Sequence, residues 1–268
     1  MRNVAMRVAY EGTAYCGFQI QPDLNTVQGQ IEKAIAKLTK EEISISASGR
    51  TDAGVHAQGQ VFNFHTSSSI PIRRWAMALN TWLPDDIVIQ EAWEVPLDFD
   101  SRYSAKRKTY RYTIWAERQP DLFRRNLELH HHQPLRIDAM CEAIKHLEGE
   151  HDFTSFASPK STKQNHIRTI YEARIEVEPS PTGEEGRGRI HLFVTGNGFL
   201  YQMVRIIAGT MLRVGEGKLQ PNDIPRILAA RNRALAGPTA MPHGLMLWHV
   251  GYDETDQAAS TDVSSDSE

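Results

Sequence analysis

In Gly49-Arg50-Thr51-Asp52-Ala53-Gly54-Val55-His56-Ala57, glycines bracket an arginine and an aspartate that stand two positions apart. Asp and Gly are common turn residues, and Asp52 can close a turn on its own backbone. The same pattern suits a reactive carboxylate on a strand-edge loop, with Arg50 near enough to keep it ionised or to grip an anion. A neighbouring cation lowers a carboxylate's pKa, and a carboxylate acts as nucleophile or base only when deprotonated. On the residues alone both readings stay open. His56, four positions on, is read as structural rather than as an acid–base partner.

A second segment runs Arg102-Tyr103-Ser104-Ala105-Lys106-Arg107-Lys108-Thr109-Tyr110-Arg111-Tyr112. It holds five cations and no acid, interleaved with three tyrosines. Cations neutralise phosphates, and aromatic rings stack on unpaired bases for about 1–3 kcal/mol each. An exposed basic linker leading into a core strand is the other reading. Strand alternation puts Tyr110, Tyr112 and Ile114 on one face and Arg111, Thr113 and Trp115 on the other. Two tyrosines on one face are not both expected in solvent, so one of them is expected to edge a pocket.

The third segment is a glycine-flanked turn, Thr195-Gly196-Asn197-Gly198-Phe199, feeding an apolar helix that carries Arg205 among Met203, Val204, Ile206 and Ile207. An unpaired buried cation is costly. Arg205 therefore either snorkels to solvent or meets a carboxylate, and Asp52 is a candidate. Three further features are set aside. His130-His131-His132 would point to alternate faces of a strand and lacks a carboxylate at ligand spacing, so no metal is expected there. Gly183 and Gly186 lie in an acidic loop that would repel a phosphate. Cys16 and Cys141 show no metal or redox spacing and are read as free thiols.

Strands and helices must hold these segments. Strands are expected over 4–10, around Ile43 and Ile45, over 60–65, 87–93 and 110–115, as a hairpin of 167–177 and 189–195, and over 245–252. Helices are expected after a cap at Asn25 or Thr26 (Val27, Ile31, Ala34, Ile35 and Leu38), over 72–82, 137–147 and 200–211, and near 222–231. Strand and helix runs recur in similar order about a boundary near 100–106. The fold class read from this is α+β, two split-βαβ halves with antiparallel sheets and helices packed on one face. The expected units are 1–103, which carries the Asp52 loop, and 104–252, followed by an acidic tail over 253–268.

The 268 residues are 24% charged and 40% hydrophobic, with 22 aromatics, an ordinary globular composition. The net charge of −3 hides an asymmetry, because residues 253–268 hold six acids and no Lys or Arg, and without them residues 1–252 carry +3. The composition of that tail predicts disorder. No apolar run is long enough to cross a membrane, the amino terminus has no apolar signal core, and no P-loop or dinucleotide fingerprint occurs. The chain is expected to be soluble and cytoplasmic, with no cofactor and no metal.

Together the segments resemble the tRNA pseudouridine synthase A family. Gly49 to Ala57, followed by Gln58-Gly59-Gln60-Val61, is similar to its catalytic motif. Phe99-Asp100-Ser101-Arg102 through Tyr110-Arg111-Tyr112 is similar to the second motif, and Gly196-Asn197-Gly198-Phe199-Leu200 with Met203-Val204-Arg205 to the third. Leu235-Ala236-Gly237-Pro238-Thr239-Ala240 and His243-Gly244-Leu245 resemble the closing segment, so the likeness spans about residues 4 to 252. It departs at Ser101, where Ala is common, at Arg231-Asn232-Arg233, which lacks an Asp often found nearby, and in the acidic tail.

The resemblance implies a pseudouridine synthase core of two ferredoxin-like or RRM-like halves. It implies an isomerase that converts uridine to pseudouridine in the anticodon stem-loop of tRNA, at positions 38 to 40 in tRNA numbering. Asp52 would be the essential aspartate, Arg50 would hold the flipped-out nucleotide, Tyr110 would pack on the uracil, and Arg205 would pair with Asp52. Arg102, Lys106, Arg107, Lys108 and Arg111 would hold phosphates. The partners implied are tRNA and a second copy of the chain, in a homodimer whose two subunits touch one tRNA. Three alternatives stand beside this: a non-catalytic tRNA-binding protein with an RRM-like fold, a synthase paralogue acting at another tRNA position, and a metal-dependent hydrolase using the histidine run.

Overall fold

The computed structural model describes residues 1–252; the acidic tail at 253–268 lies outside the described residues. The strands are β1 (Arg2–Tyr10), β2 (Ser46–Ala47), β3 (His56–Thr66), β4 (Ile87–Val95), β5 (Arg107–Ala116), β6 (Leu129–His131), β7 (Gly149–Asp152), β8 (Ile167–Pro179), β9 (Gly188–Gly196) and β10 (Leu245–Gly251). The helices are α1 (Val27–Thr39), α2 (Trp75–Asn80), α3 (Ile137–Lys145), α4 (Met203–Gly215) and α5 (Asp223–Ala230). The fold is mixed α+β.

One sheet runs through the described residues in the order β4-β1-β3-β10-β5-β9-β8-β7, with β2 beside β3 and β6 beside β5. Pairing is antiparallel except for β10 with β3 and β5 with β6. The last strand thus fastens the first half of the chain to the second. Leu247 pairs with Ala57 of β3 on one side and with Tyr110 of β5 on the other. The sequence reading expected two split-βαβ halves with antiparallel sheets; among the described residues the strands run in one continuous sheet, with β10 between β3 and β5.

Alternation builds the core. Val4, Met6, Val8 and Tyr10 of β1 are buried on one face, where α1 sets Val27, Ile31, Ala34 and Ile35. Thr26 is the cap: its hydroxyl oxygen accepts the Gly29 N–H at 3.3 Å, satisfying one of the orphan donors of a helix start. In the second half α3 and α4 pack on each other, and α4 also packs against β5.

Several elements are shorter than alternation and periodicity suggest. Ile43 and Ile45 precede β2 rather than lying in it, because the Ile45 N–H bonds the Glu32 carboxylate at 3.0 Å instead of a neighbouring strand. The 72–82 segment is a 3-10 turn at Ile72–Arg74 followed by the short α2. It stops at Asn80, whose side chain bonds the Ile89 N–H and carbonyl at 2.8 and 2.9 Å and so ties the helix end to β4. Helix α4 begins at Met203, not 200, after Gln202 at φ 61°. The short strands β6 and β7 carry no period of their own; they are edge additions made by pairing with β5 and β8.

Candidate active site

Residues Asp52-Ala53-Gly54-Val55 form a β-turn closed by the Val55 N–H on the Asp52 carbonyl at 3.1 Å. Gly54 occupies its third position at φ 74°, a value that a type II turn requires and that glycine adopts without strain. The turn is there, but the backbone of Asp52 makes it, which leaves the carboxylate free for other partners. The loop is tied from several sides. Tyr10 Oη and Thr51 Oγ1 share a buried hydrogen bond of 2.8 Å. Gln60 Nε2 donates to the Gly49 carbonyl at 2.8 Å, and the Phe18 N–H donates to the Thr51 carbonyl at 3.2 Å.

Helix α4 delivers the cation. Arg205 Nη1 donates to Asp52 Oδ2 at 3.1 Å, with the two side chains 13% and 22% exposed. Arg205 Nε donates to the Ala240 carbonyl at 2.8 Å, and the Ala240 N–H returns a bond to the Arg205 carbonyl at 3.0 Å. The segment 236–240 therefore acts as a strap that orients the guanidinium. It lies so close to α4 that a Cβ on Gly209 would fall 1.8 Å from the Pro238 carbonyl oxygen.

The residues alone left Arg50 either to keep Asp52 ionised or to grip an anion, and the family resemblance implied Arg205 as the partner of Asp52. Among the described residues the ion pair of Asp52 is with Arg205, while Arg50 is exposed and lines the same cleft. The carboxyl is also held above the ordinary aspartate value of 3.8, because burial outweighs the opposing hydrogen bond and charge of Arg205. Desolvation penalises the ionised form more than this single cation restores it.

Asp52 opens onto a cleft of ≈ 1090 Å³. Its lining includes Tyr110 from β5, Phe199 to Gln202 from the turn before α4, Met203 and Val204 from the start of α4, and Lys160 and Lys163 from the 158–166 segment. Tyr110 is held by cross-strand neighbours Val194 and Leu247 and meets Phe199 edge-on, with ring centroids 5.1 Å apart. Burial pushes its phenol well above the ordinary tyrosine value, so the ring enters the cleft neutral. Tyr112, two residues on, is fully buried and donates to the Met241 carbonyl at 2.9 Å. A second hollow of ≈ 760 Å³, between α1 and the 20–25 and 42–44 segments, lacks Asp52, Tyr110 and Arg205.

The basic run divides. Arg102 and Lys108 line the cleft; Lys106 is exposed and outside its lining. Arg107 and Arg111 correct the expectation of one continuous phosphate grip. The pleat turns odd-numbered residues of β5 to the far side of the sheet from Tyr110, where the Arg111 guanidinium lies 4.0 Å from the centre of the Trp248 ring. Lys160 and Lys163 were missed by the sequence reading. Their signal is two lysines without an acid in Ser158-Pro159-Lys160-Ser161-Thr162-Lys163.

His56 and His130 have structural partners. His56 Nδ1 accepts the Gly12 N–H at 2.9 Å and Nε2 donates to the His243 carbonyl at 3.1 Å, an arrangement that requires a neutral ring. Burial lowers its pKa in the same sense. His130 Nε2 donates to the Glu117 carbonyl at 2.8 Å. Among the described residues no helix is long and apolar enough to cross a membrane.

Comparison with known proteins matches residues 6–104 and 143–253 to a family model described as tRNA pseudouridine synthase. The tRNA pseudouridine synthase A of Anoxybacillus flavithermus is 48% identical over 254 residues, covering 94% of this chain and all of that protein. The tRNA pseudouridine synthase A of Geobacillus kaustophilus is 46% identical over 248 residues, covering 92% of this chain and 93% of that protein. Among solved structures, a chain of a Cbf5-Nop10-Gar1 complex covers 94% of this chain and 60% of its own length at 13% identity and a TM-score of 0.35, a likeness too low to carry an argument.

Proposed function

The chain belongs to the tRNA pseudouridine synthase family, an isomerase family that acts on tRNA, and from that premise we propose that it converts uridine to pseudouridine at positions 38 to 40 of the anticodon stem-loop, with Asp52 as the essential carboxylate. The observation that carries this reading is the Arg205–Asp52 pair at the cleft, beside the neutral ring of Tyr110.

The reaction needs no redox partner. The N1–C1′ bond of the target uridine breaks, the uracil turns in the cleft, C5 bonds to C1′, the hydrogen on C5 leaves as a proton, and the freed N1 takes up a proton, so the product is an isomer of the substrate. The base must first leave its stack, which costs a few kcal/mol. Exposed Arg50 at the cleft holds the extruded arrangement, and Tyr110 packs on the uracil. Asp52 acts ionised, either adding to C1′ or removing the 2′ proton. Arg205 favours that ionised form against burial and fixes which oxygen faces the sugar.

Arg102 and Lys108, with Lys160 and Lys163 across the cleft, meet the phosphates. Two similar halves, 1–103 and 104–252, form the cleft between them. The supporting observation is that β4-β1-β3-β2 and β10-β5-β9-β8 repeat one strand order, each with a helix after its first and third strands in chain order. Asp52 then comes from one half, Tyr110 and Arg205 from the other. A homodimer sharing one tRNA completes the proposal, and a tRNA substrate puts the work in the cytoplasm.

The test uses tRNA transcripts carrying uridine singly at position 38, 39 or 40, incubated with enzyme and mapped for pseudouridine. Product confined to those positions is expected; product elsewhere in the tRNA identifies a synthase with another target.

A further inference from the structure

Lys108 differs from every other cation of its run. It alone among the basic residues of β5 is on the Tyr110 face of the sheet, and its ammonium donates to the carbonyl of Ser48, at the foot of the loop that carries Asp52. A Cβ on Gly49 would lie 3.5 Å from its Nζ. Among the described residues no carboxylate forms an ion pair with it. The charged groups that share its cleft are Arg50 and Asp52 of the loop, Arg102 of the segment before β5, and Lys160 and Lys163 opposite. Burial, reinforced by the like charge of Arg102, pulls its pKa down to about 8. A half-desolvated ammonium with one carbonyl partner has N–H groups to spare for an anion. The anion that an RNA substrate brings is phosphate.

Resting on the tRNA isomerase reading, we propose that Lys108 is a positioning residue that couples a substrate phosphate to the Asp52 loop, one N–H holding the Ser48 carbonyl and another taking a phosphate oxygen of the nucleotide being extruded. The ammonium form does both with a charge-assisted bond to the phosphate, and the neutral amine keeps N–H donors but loses that charge. The free enzyme therefore loses affinity for tRNA as Lys108 deprotonates, whereas in the complex the phosphate holds the proton on and moves that loss to higher pH.

The experiment compares wild type, Lys108→Arg and Lys108→Met as full chains with tRNA transcripts. It reads kcat/KM and kcat from pH 6.5 to 9.5, and tRNA Kd against salt. Wild-type kcat/KM is expected to fall above pH about 8, with kcat falling later. Lys108→Arg keeps its charge, so this fall disappears while neutral-pH kcat/KM stays within about threefold. Lys108→Met loses at least about tenfold in kcat/KM, and its slope of log Kd on log salt is shallower by about 0.7–0.9 for one lost phosphate contact. An unchanged salt slope in Lys108→Met, or the same alkaline fall in Lys108→Arg, overturns the proposal. Wild type that binds tRNA but makes no pseudouridine sinks the isomerase reading instead, and the salt slope still decides the phosphate contact.

Discussion

Arg205 and Asp52 stand 153 residues apart in the chain, and Nη1 of one lies 3.1 Å from Oδ2 of the other. The guanidinium is itself oriented by the Ala240 carbonyl, so the carboxylate depends on α4 and on the strap that follows α5.

Removing the cation should show first in the acid limb of the rate. Asp52 sits above its ordinary value because burial dominates, and Arg205 opposes that rise. A folded carboxyl with a raised pKa loses its charge at higher pH on acidification, so wild-type kcat should begin to fall above pH 3.8, the ordinary aspartate value. Arg205→Met should move the limb further up and lower kcat at pH 7 by about 10²-fold. Arg205→Lys should restore part of the charge but not the hold on Ala240. A pH–rate profile of the three proteins checks this; an acid limb unmoved in Arg205→Met contradicts it.

Tyr110 should act through its ring. Loss of a base–aromatic contact costs about 1–3 kcal/mol, or about 5- to 150-fold. Tyr110→Phe should therefore stay within about tenfold of wild-type kcat, while Tyr110→Ala falls by about 100-fold. Single-turnover rates at saturating tRNA separate the two, and a Phe variant as slow as the Ala variant assigns the role to the hydroxyl.

The strap should tolerate no side chain at Gly209. Its Cβ would meet the Pro238 carbonyl oxygen at 1.8 Å, and overpacking costs about 1–3 kcal/mol. Gly209→Ala should lower Tm by about 2–12 °C and, by shifting Ala240, lower kcat as well. Calorimetry together with turnover tests both; an unchanged Tm shows that α4 and the strap are not held this closely.

The cleft side and the far side of the sheet should differ toward RNA. Arg102→Met should make the slope of log Kd on log salt shallower by about 0.7–0.9. Arg111→Met, whose guanidinium rests on Trp248 across the sheet, should leave the slope unchanged. Binding titrations between 50 and 200 mM salt decide it, and an equal loss in both variants contradicts the division of the basic run.

What the sequence made legible was local. Gly54 announces a turn, the tyrosines at 110 and 112 announce a shared face, and an arginine among Met203, Val204 and Ile206 announces the need for a partner. The same alternation already separated Arg111 from Tyr110, so counting the basic run as one patch set composition above the pleat. Of the long-range facts, the Arg205–Asp52 pair came from the family resemblance; the others were not legible. Nothing in Leu245–Gly251 tells that it pairs with both β3 and β5, and nothing near Asp52 tells that burial will outweigh its cation. Lys160 and Lys163 drew no notice because a polar loop with two lysines is ordinary until a fold brings it over a cleft.

The central claim is that Asp52 drives isomerisation of uridine in tRNA. Tritium release from transcripts labelled at uridine C5 tests it directly, because C5 loses its hydrogen when it bonds to the sugar. Wild type should release tritium, and Asp52→Asn should bind the same tRNA with release reduced by about 10²–10⁴-fold or more. Release by Asp52→Asn at the wild-type rate would contradict the account.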